Sequence, residues 1–182
     1  MTHCLVDFAP RRCLAIVSFG IVLAGFTALN PSVASPPAPV PSAATLATNH
    51  FTDNGNGTVT DRLTGLIWLK NANCFDSEVW TAALAVANGL ASGACGLSDG
   101  STAGQWRLPN RKELQSLLDP TREGPALPAG HPFTGVQFTY YWSSTSDASD
   151  TSFAWGVDID GSGVYLGGKT GGNYVWPVRG DL

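Results

Sequence analysis

Basic side chains are scarce in this sequence and form no cluster. The 182 residues include ten Lys and Arg against fourteen Asp and Glu, and the basic ones are spread along the chain. Proteins that bind nucleic acid through its phosphates need a basic patch. We therefore do not expect nucleic acid as a partner, and anionic membranes and other polyanions are disfavoured for the same electrostatic reason.

The sequence also lacks the common signatures of catalysis. Neither His50 nor His131 sits next to a nucleophile motif such as G-x-S-x-G. The Asp and Asn cluster at 53–56 lacks the spacing of an EF-hand calcium loop. Two arrangements stay open: Ser143 with His131 and an aspartate as a triad, and Asp158 with Asp160 as a carboxylate pair for glycoside hydrolysis. Asp158 and Asp160 sit at a predicted turn, where Asp is common because its side chain bonds to the local backbone. This pair therefore does not indicate catalysis, and we expect no enzyme and no catalytic residues.

Long apolar runs are absent except near the start of the chain, at 14–29. This run follows Arg11 and Arg12, precedes small residues, and is shorter than the ~20 residues of a comfortable membrane span. We predict a secretory signal peptide over 1–34, cut after Ala34, with an uncut anchor as the alternative. The protein is then expected to be secreted, periplasmic or at a bacterial cell surface, without stable membrane insertion after cleavage.

Two further segments follow the leader. Residues 35–49 are rich in Pro, Ala, Ser and Thr, which is typical of an extended linker. Residues 50–182 fit the size of one domain. Without the leader the chain keeps eight basic and thirteen acidic side chains, a net charge of −5.

Cysteine is also rare, since only two of the four cysteines lie outside the leader. Cys74 and Cys95 have neither C-x-x-C spacing nor a nearby histidine, so a metal site is not indicated. In an exported domain such a pair predicts one disulfide, with a reactive pair as the alternative. It would close a loop of about twenty residues and contribute roughly 3 kcal/mol by restricting the unfolded chain.

Strand patterns at both ends of the domain, with two helices between them, predict an α+β fold. The N-G-N-G sequence at 54–57 predicts a type I′ hairpin turn. The first helix is expected to be capped by Asp76 or Ser77 and to end at Gly89. Strands are predicted at 58–60, 66–69, 138–143, 153–157, 164–166 and 174–178.

The second helix, about Arg111–Leu118, has the clearest local signal. Asn110 is a good N-cap, and Glu113 follows three residues later, so the pair predicts a capping box. Pro109 keeps the preceding residue out of the helical region. We interpret this stretch as a structural helix cap and not as a ligand contact.

Four motifs together resemble a known family. They are D-N-G-N-G-T-V-T-D-x-x-T-G-L-I-W-L at 53–69, W-R-L-P-N-R-K-E-L at 106–114, Y-W-S-S at 141–144 and V-W-P-V-R at 175–179. In this order they resemble the Lcl C-terminal-domain family, exported bacterial domains named after a collagen-like adhesin. The resemblance implies a C-type-lectin-like fold for 50–182, with two helices, short antiparallel strands and long late loops.

The resemblance says less about activity. Formylglycine-generating enzymes share the implied fold, but their chemistry needs cysteines in the C-terminal part, and 146–182 contains none. The adhesin binds sulfated polysaccharide, which the acidic charge of this domain does not favour. The adhesin's collagen-like repeat is absent as well.

Lectin-like folds usually meet ligands at late loops, here 144–152, 158–163 and 167–173. The resemblance thus implies a set of ligand-binding residues: Asp147, Asp150, Trp155, Asp158, Asp160 and Asn173. The oxygens of the four aspartates and of Asn173 suit calcium, but the E-P-N and W-N-D motifs of calcium-dependent lectins are missing. No metal ligand and no cofactor is therefore predicted, and calcium stays an alternative. Aromatic rings can stack on sugars; Trp155 and Trp176 are the candidates, while Trp68, Trp80, Trp106 and Trp142 are expected in the core.

The resulting hypothesis is a non-enzymatic exported binding or adhesion domain that recognises extracellular carbohydrate. A structural or protein-interaction domain of the cell envelope is the alternative, and a hydrolase is a third. The expected partner is thus an extracellular glycan or an envelope protein, and oligomers remain open.

Overall fold

The computed structural model describes residues 50–180, so the predicted signal peptide and linker lie outside the described residues. The secondary structure is mixed, with two short helices and nine strands in this range. The helices are α1 (Trp80–Gly89) and α2 (Arg111–Ser116). The strands are β1 (Phe51–Asp53), β2 (Thr58–Asp61), β3 (Ile67–Leu69), β4 (Ser77–Val79), β5 (Tyr140–Ser146), β6 (Phe153–Asp158), β7 (Val164–Gly168), β8 (Gly172–Tyr174) and β9 (Val178–Arg179).

The strands form two sheets. One has the order β1-β2-β3-β9, and the other has the order β4-β8-β5-β6-β7. The pairings are antiparallel except for a short parallel contact of β5 with β8. Since β9 pairs with β3, the first and last strands of the described chain share one sheet. The α+β class with two helices and antiparallel strands is therefore confirmed.

Two hydrophobic clusters hold the elements together. The larger lies among both sheets and α2 and includes a chain of aromatic contacts, with Trp176 in edge-on contact with Trp68 and Phe133 at 6.0 and 4.8 Å between ring centroids. The smaller packs Ala83 and Ala87 of α1 against Trp142. Ala83 and Ala87 are thus the buried residues of α1, and the helix ends at Gly89 as expected.

The first hairpin differs from its predicted turn. Four residues, 54–57, connect β1 to β2, and the positive φ angles fall on Gly55 and Gly57 and not on the asparagines. The prediction of a type I′ hairpin turn, which has two residues, is therefore wrong. Instead the side chains of Asp53 and Asn56 accept hydrogen bonds from the backbone N–H groups of Gly55 and Thr58, which is the usual way that Asx turns replace a tight turn.

The start of α1 also differs. Asp76 has a positive φ of 54°, and the residues after it pair with β8 as strand β4. The helix then begins at Trp80, and Val79 at the N-cap offers no side-chain hydrogen bond. Capping by Asp76 or Ser77 is therefore wrong, because Asp76 has a left-handed backbone and strand pairing holds Ser77 in an extended conformation.

The predicted strand 174–178 is in fact two strands in different sheets. Tyr174 ends β8 and Val178 begins β9. Between them Pro177 has no N–H to donate to a ladder, and Trp176 is fully buried, with its indole N–H donating to the carbonyl of Leu69 at 2.8 Å. The segment therefore crosses the core between the sheets, which makes Trp176 a packing residue.

Candidate functional site

The most densely bonded part of the molecule surrounds α2. Its N-terminus has the predicted capping box: Asn110 accepts from the N–H of Glu113, and Glu113 accepts from the N–H of Asn110. Glu113 also receives two 2.7 Å hydrogen bonds from the guanidinium of Arg107. Arg107 exchanges backbone hydrogen bonds with Val178 of β9 and donates to the carbonyl of Gly180. The W-R-L-P-N-R-K-E-L motif thus binds the C-terminal end of the domain.

A second set of contacts extends this network. Arg179 forms a 2.9 Å ion pair with Asp99, and its guanidinium lies over the ring of Trp106. Ser101 accepts from the Trp106 indole and donates to Asp99. Burial would raise the pKa of Asp99, but its bonds with Ser101 and the charge of Arg179 hold that pKa below its usual value. Most of these polar groups contact one another, which indicates a structural role, while the buried Nε of Arg179 has no hydrogen-bond partner within residues 50–180.

Cys74 and Cys95 form the predicted disulfide, with 5.6 Å between their Cα atoms. The bond joins the segment before β4 to the loop after α1. A cleft of about 370 Å³ lies beside it and is lined by Gly57, Lys70 and Asn71 among others. The ammonium of Lys70 is 2.6 Å from a carboxylate oxygen of Asp53, so the cation at this cleft is already paired.

The predicted ligand residues Asp147 and Asp150 lie together in the β5–β6 loop. Each carboxylate accepts hydrogen bonds from the serine two residues later, Ser149 and Ser152 respectively. The serine hydroxyls are the main reason why the pKa of each aspartate is lowered. Both carboxylates therefore shape their own turns.

Asp158 and Asp160 lie at the other end of β6. The carboxylate of Asp158 accepts from the backbone N–H of Asp160, which again closes a turn. With about 3.3 Å per strand residue, the six residues of β6 separate this turn from the β5–β6 loop by about 20 Å. The six predicted residues therefore do not form one site, because antiparallel hairpins place consecutive loops at opposite ends of the sheet.

Trp155 lies in the middle of β6 and is half-buried. The guanidinium of Arg111 on α2 sits 4.6 Å from its ring centroid. The comparable pair Lys169 and Trp80 has the ammonium 3.8 Å from the ring. Both indole faces thus have a cation on one side, and such contacts contribute about 0.5–1 kcal/mol at exposed sites.

An open aromatic surface occurs on the face of the five-stranded sheet where Asp158 and Asn173 lie. Tyr140 at the start of β5 is directly opposite Asp158 and is 40% exposed. The Tyr165 ring of β7 lies 4.1 Å from the Tyr140 ring, tilted by 42°. Asn173 of β8 lies on the same face as Tyr140, since Tyr174 pairs with Tyr141. We call Tyr140, Asp158, Tyr165 and Asn173 the tyrosine surface.

Glycine makes this arrangement possible. Tyr165 is paired with Gly156 of β6, and a Cβ at Gly156 would fall 2.1 Å from a ring carbon of Tyr165. The ring therefore lies flat across β6 towards Tyr140. Burial raises the pKa of Tyr165 to about 12, and its shielded hydroxyl lies near Asn173 without a hydrogen bond of good geometry.

The sequence reasoning found Asp158 and Asn173 and missed both tyrosines. Tyr140 and Tyr165 stand in strands that look like ordinary sheet sequence, so composition alone does not mark them. The available signal was strand alternation: in V-Y-L-G-G the tyrosine points to the face opposite its neighbours. Only the pairing of β6 with β7 shows that this face has a glycine beside it.

The described part of the chain contains no group of three His, Cys, Asp or Glu placed to hold a metal ion. Ser143, the nucleophile considered for a triad, is fully buried and donates to the carbonyl of Trp155. Within residues 50–180 no helix is long and apolar enough to cross a membrane.

Comparison with known proteins identifies the sequence family. The model of the Lcl C-terminal domain matches residues 57–179, which is more than half of the chain and includes β2 through β9. No curated protein matches the chain significantly.

Proposed function

We propose that this chain, which belongs to the Lcl C-terminal domain family, is a non-enzymatic extracellular binding domain that recognises carbohydrate at the tyrosine surface. The observation that carries the proposal is the exposed ring of Tyr140 resting on the half-buried ring of Tyr165. Aromatic rings present an apolar face to the C–H side of a sugar, and tyrosine adds a hydroxyl for hydrogen bonding. The ring of Tyr140 is 40% exposed and rests on Tyr165, so it is held in place.

The neighbours of the two rings supply polar partners. Asp158 and Asn173 flank Tyr140 on the same face of the sheet. A carboxylate accepts hydrogen bonds from sugar hydroxyls, and an amide both donates and accepts. With an acidic side chain at the surface and a net charge of −5 outside the predicted leader, neutral sugars fit better than sulfated ones.

The C-type-lectin-like fold and export belong to the same proposal. The fold is supported by the shared sheet of β1 and β9, which brings both ends of the domain together. Export is supported by the Cys74–Cys95 disulfide, because such bonds persist in oxidising compartments. We propose that binding needs no calcium, since Asp147 and Asp150 already accept hydrogen bonds within their turns.

A glycan array tests the proposal, with the protein assayed with calcium and with a chelator. Tyr140→Ala should weaken binding about tenfold, equivalent to ~1.4 kcal/mol. The matched control is Leu63→Ala in the other sheet's β2–β3 turn, where Leu63 is 76% exposed, and it should bind as the wild type does.

Three outcomes would contradict the proposal. Equal loss of glycan binding in Tyr140→Ala and Leu63→Ala would show that the tyrosine surface is not the binding site. Absence of glycan binding together with specific capture of an envelope protein would favour the protein-interaction alternative. Turnover of a bound glycan that Asp158→Asn abolishes would make the protein a hydrolase.

A further inference from the structure

Two carboxylates border the tyrosine surface. Asp158 of β6 lies directly opposite Tyr140 of β5. Glu78 of β4 lies directly opposite Asn173 of β8. Side chains at opposite positions of an antiparallel pair lie on one face, with about 4.5–5.5 Å between their Cβ atoms. The carboxylate of Asp158 is therefore a neighbour of the Tyr140 ring, and Glu78 brings a second carboxylate beside the Asn173 amide.

Neither of these carboxylates has a counter-ion within residues 50–180. The ion pairs in that range use four other acidic side chains: Asp53, Asp61, Asp99 and Glu113. One oxygen of Asp158 accepts from the N–H of Asp160, and the carboxylate of Glu78 accepts no hydrogen bond in the described chain. Both residues are half-buried. Two unpaired negative charges beside an open aromatic surface attract a positively charged ligand.

The ring of Tyr140 can also attract a cation. Aromatic rings do so through the negative charge of their faces. Three indoles of this domain already have a cation of their own chain over the ring: Trp80 with Lys169, Trp106 with Arg179 and Trp155 with Arg111. Within residues 50–180 no Lys or Arg lies over Tyr140, although this residue is 40% exposed. Its open face is therefore accessible to the cation of a ligand.

We propose that the tyrosine surface selects sugars that carry a free ammonium group, that is, amino sugars without an N-acetyl group. This inference rests on the proposed carbohydrate function and names the ligand class of the same site. An ammonium has three donors, so it contacts the face of Tyr140 and still donates to Asp158. Glu78 and the amide of Asn173 accept from neighbouring hydroxyl groups of the ligand.

Charge and shape separate this ligand from the alternatives. Acetylation turns the ammonium into a neutral amide, which loses the attraction of both carboxylates. A sulfated sugar is repelled by them and by the net charge of −5 outside the predicted leader. A methylated lysine side chain suits a closed cage of aromatic rings, whereas Tyr140 and Tyr165 are two rings tilted by 42° at one open face. A cationic sugar therefore fits this surface better than a basic peptide.

Titration calorimetry on the full chain tests the selection with two probes, a trimer of glucosamine and the same trimer with every amine acetylated. An exposed ion pair and an exposed cation–aromatic contact each strengthen binding by a factor of a few. The glucosamine trimer should therefore bind about tenfold more tightly than the acetylated trimer. Salt at about 1 M, where the Debye length is about 3 Å, should remove most of this difference.

Asp158→Asn should reduce the tenfold preference to about threefold, because it removes one of the two charges. Asp158→Asn combined with Glu78→Gln should abolish the preference. The matched control is Asp150→Asn, which removes the same charge from the loop at the other end of β6 and keeps a residue that closes such turns. It should leave the preference unchanged. The acetylated trimer should bind all variants as it binds the wild type, since asparagine and glutamine keep an oxygen acceptor, and this also shows that they fold.

Equal affinities of the wild type for the two trimers would overturn the selection and leave the carbohydrate proposal standing. The same loss of preference in Asp158→Asn and Asp150→Asn would also overturn it, because net charge alone would then explain the preference. A lysine trimer that binds as tightly as the glucosamine trimer would show a general site for basic peptides. If neither sugar trimer binds while the glycan array is positive, only this inference fails; if no glycan binds at all, the carbohydrate proposal itself has failed.

Discussion

Replacement of Glu113 by glutamine tests whether the most densely bonded part of the molecule is structural. The Glu113 side chain is 2% exposed and accepts three hydrogen bonds of 2.7 Å, two from Arg107 and one from the N–H of Asn110. Glutamine keeps the volume but turns one acceptor into a donor that faces the guanidinium. The loss of one charge-assisted bond costs about 1.5–3 kcal/mol, so we expect Glu113→Gln to lower the free energy of unfolding by roughly 2–3 kcal/mol.

Three further variants give reference values for this loss of stability. Glu113→Ala leaves Arg107 without its partner and should cost about 3–5 kcal/mol, towards the lower end because the Arg107 side chain is 35% exposed and solvent screens it. Asn110→Ala removes only the cap and should cost ~1 kcal/mol with glycan binding unchanged. Lys112→Ala, at an exposed position of the same helix, should stay within about 0.5 kcal/mol of the wild type.

Urea unfolding of the oxidised protein gives these free energies, provided that the slope with denaturant is unchanged. The expected order of destabilisation is Glu113→Ala, Glu113→Gln, Asn110→Ala and Lys112→Ala. A Glu113→Gln protein as stable as Lys112→Ala would refute the reasoning, because the buried carboxylate would then contribute nothing through its charge.

Three other predictions concern stability. Gly55→Ala should cost roughly 1–2 kcal/mol for its positive φ alone, and Gly57→Ala more, since its Cβ would also fall 2.3 Å from a backbone oxygen; equal costs in urea would contradict this. Replacing Cys74 and Cys95 together by serine should cost roughly 3 kcal/mol, and an unchanged unfolding midpoint would argue against it. Burial lowers the pKa of His131 below its usual 6.5. Stability should therefore fall as pH drops from 6.5 towards the folded-state pKa, because the unfolded chain binds the proton more readily. This slope should be absent in His131→Gln, and a slope that persists there would rule out His131 as its source.

The local features of the fold could be predicted because each depends on neighbours in sequence. The capping box needs only Asn110 and Glu113 three residues apart, and the structure confirms it. The end of α1 at Gly89 follows from a local signal in the same way. The disulfide followed from counting, since Cys74 and Cys95 are the two cysteines left outside the predicted leader.

The errors occurred where a distant strand decides the local conformation. Ser77 has the chemistry of a helix cap, but pairing with Tyr174 of β8 holds it in a strand. The stretch 174–178 has an apolar strand pattern, but Tyr174 and Val178 pair in different sheets. The partner of a strand cannot be read from its own residues, because β pairing joins segments far apart in sequence.

The same limit applies to the candidate site. The late loops were expected to act together, yet Asp147 and Asp160 lie at opposite ends of β6, because each hairpin reverses the chain. Conversely, Tyr140 and Tyr165 are 25 residues apart and meet at 4.1 Å. That contact exists only because Gly156 leaves room above β6.

By itself, then, the sequence determined the family, the α+β class, the helix cap and the disulfide, since these rest on residue types, counts and short spacings. The tertiary structure alone decided that Trp176 belongs to the core, that the predicted loop site is divided, and that two tyrosines share an open face. It also decided that β7 has an unpaired edge. The physical reason is that exposure and face depend on which strands become neighbours, and strand neighbours are chosen by the packing of the whole domain.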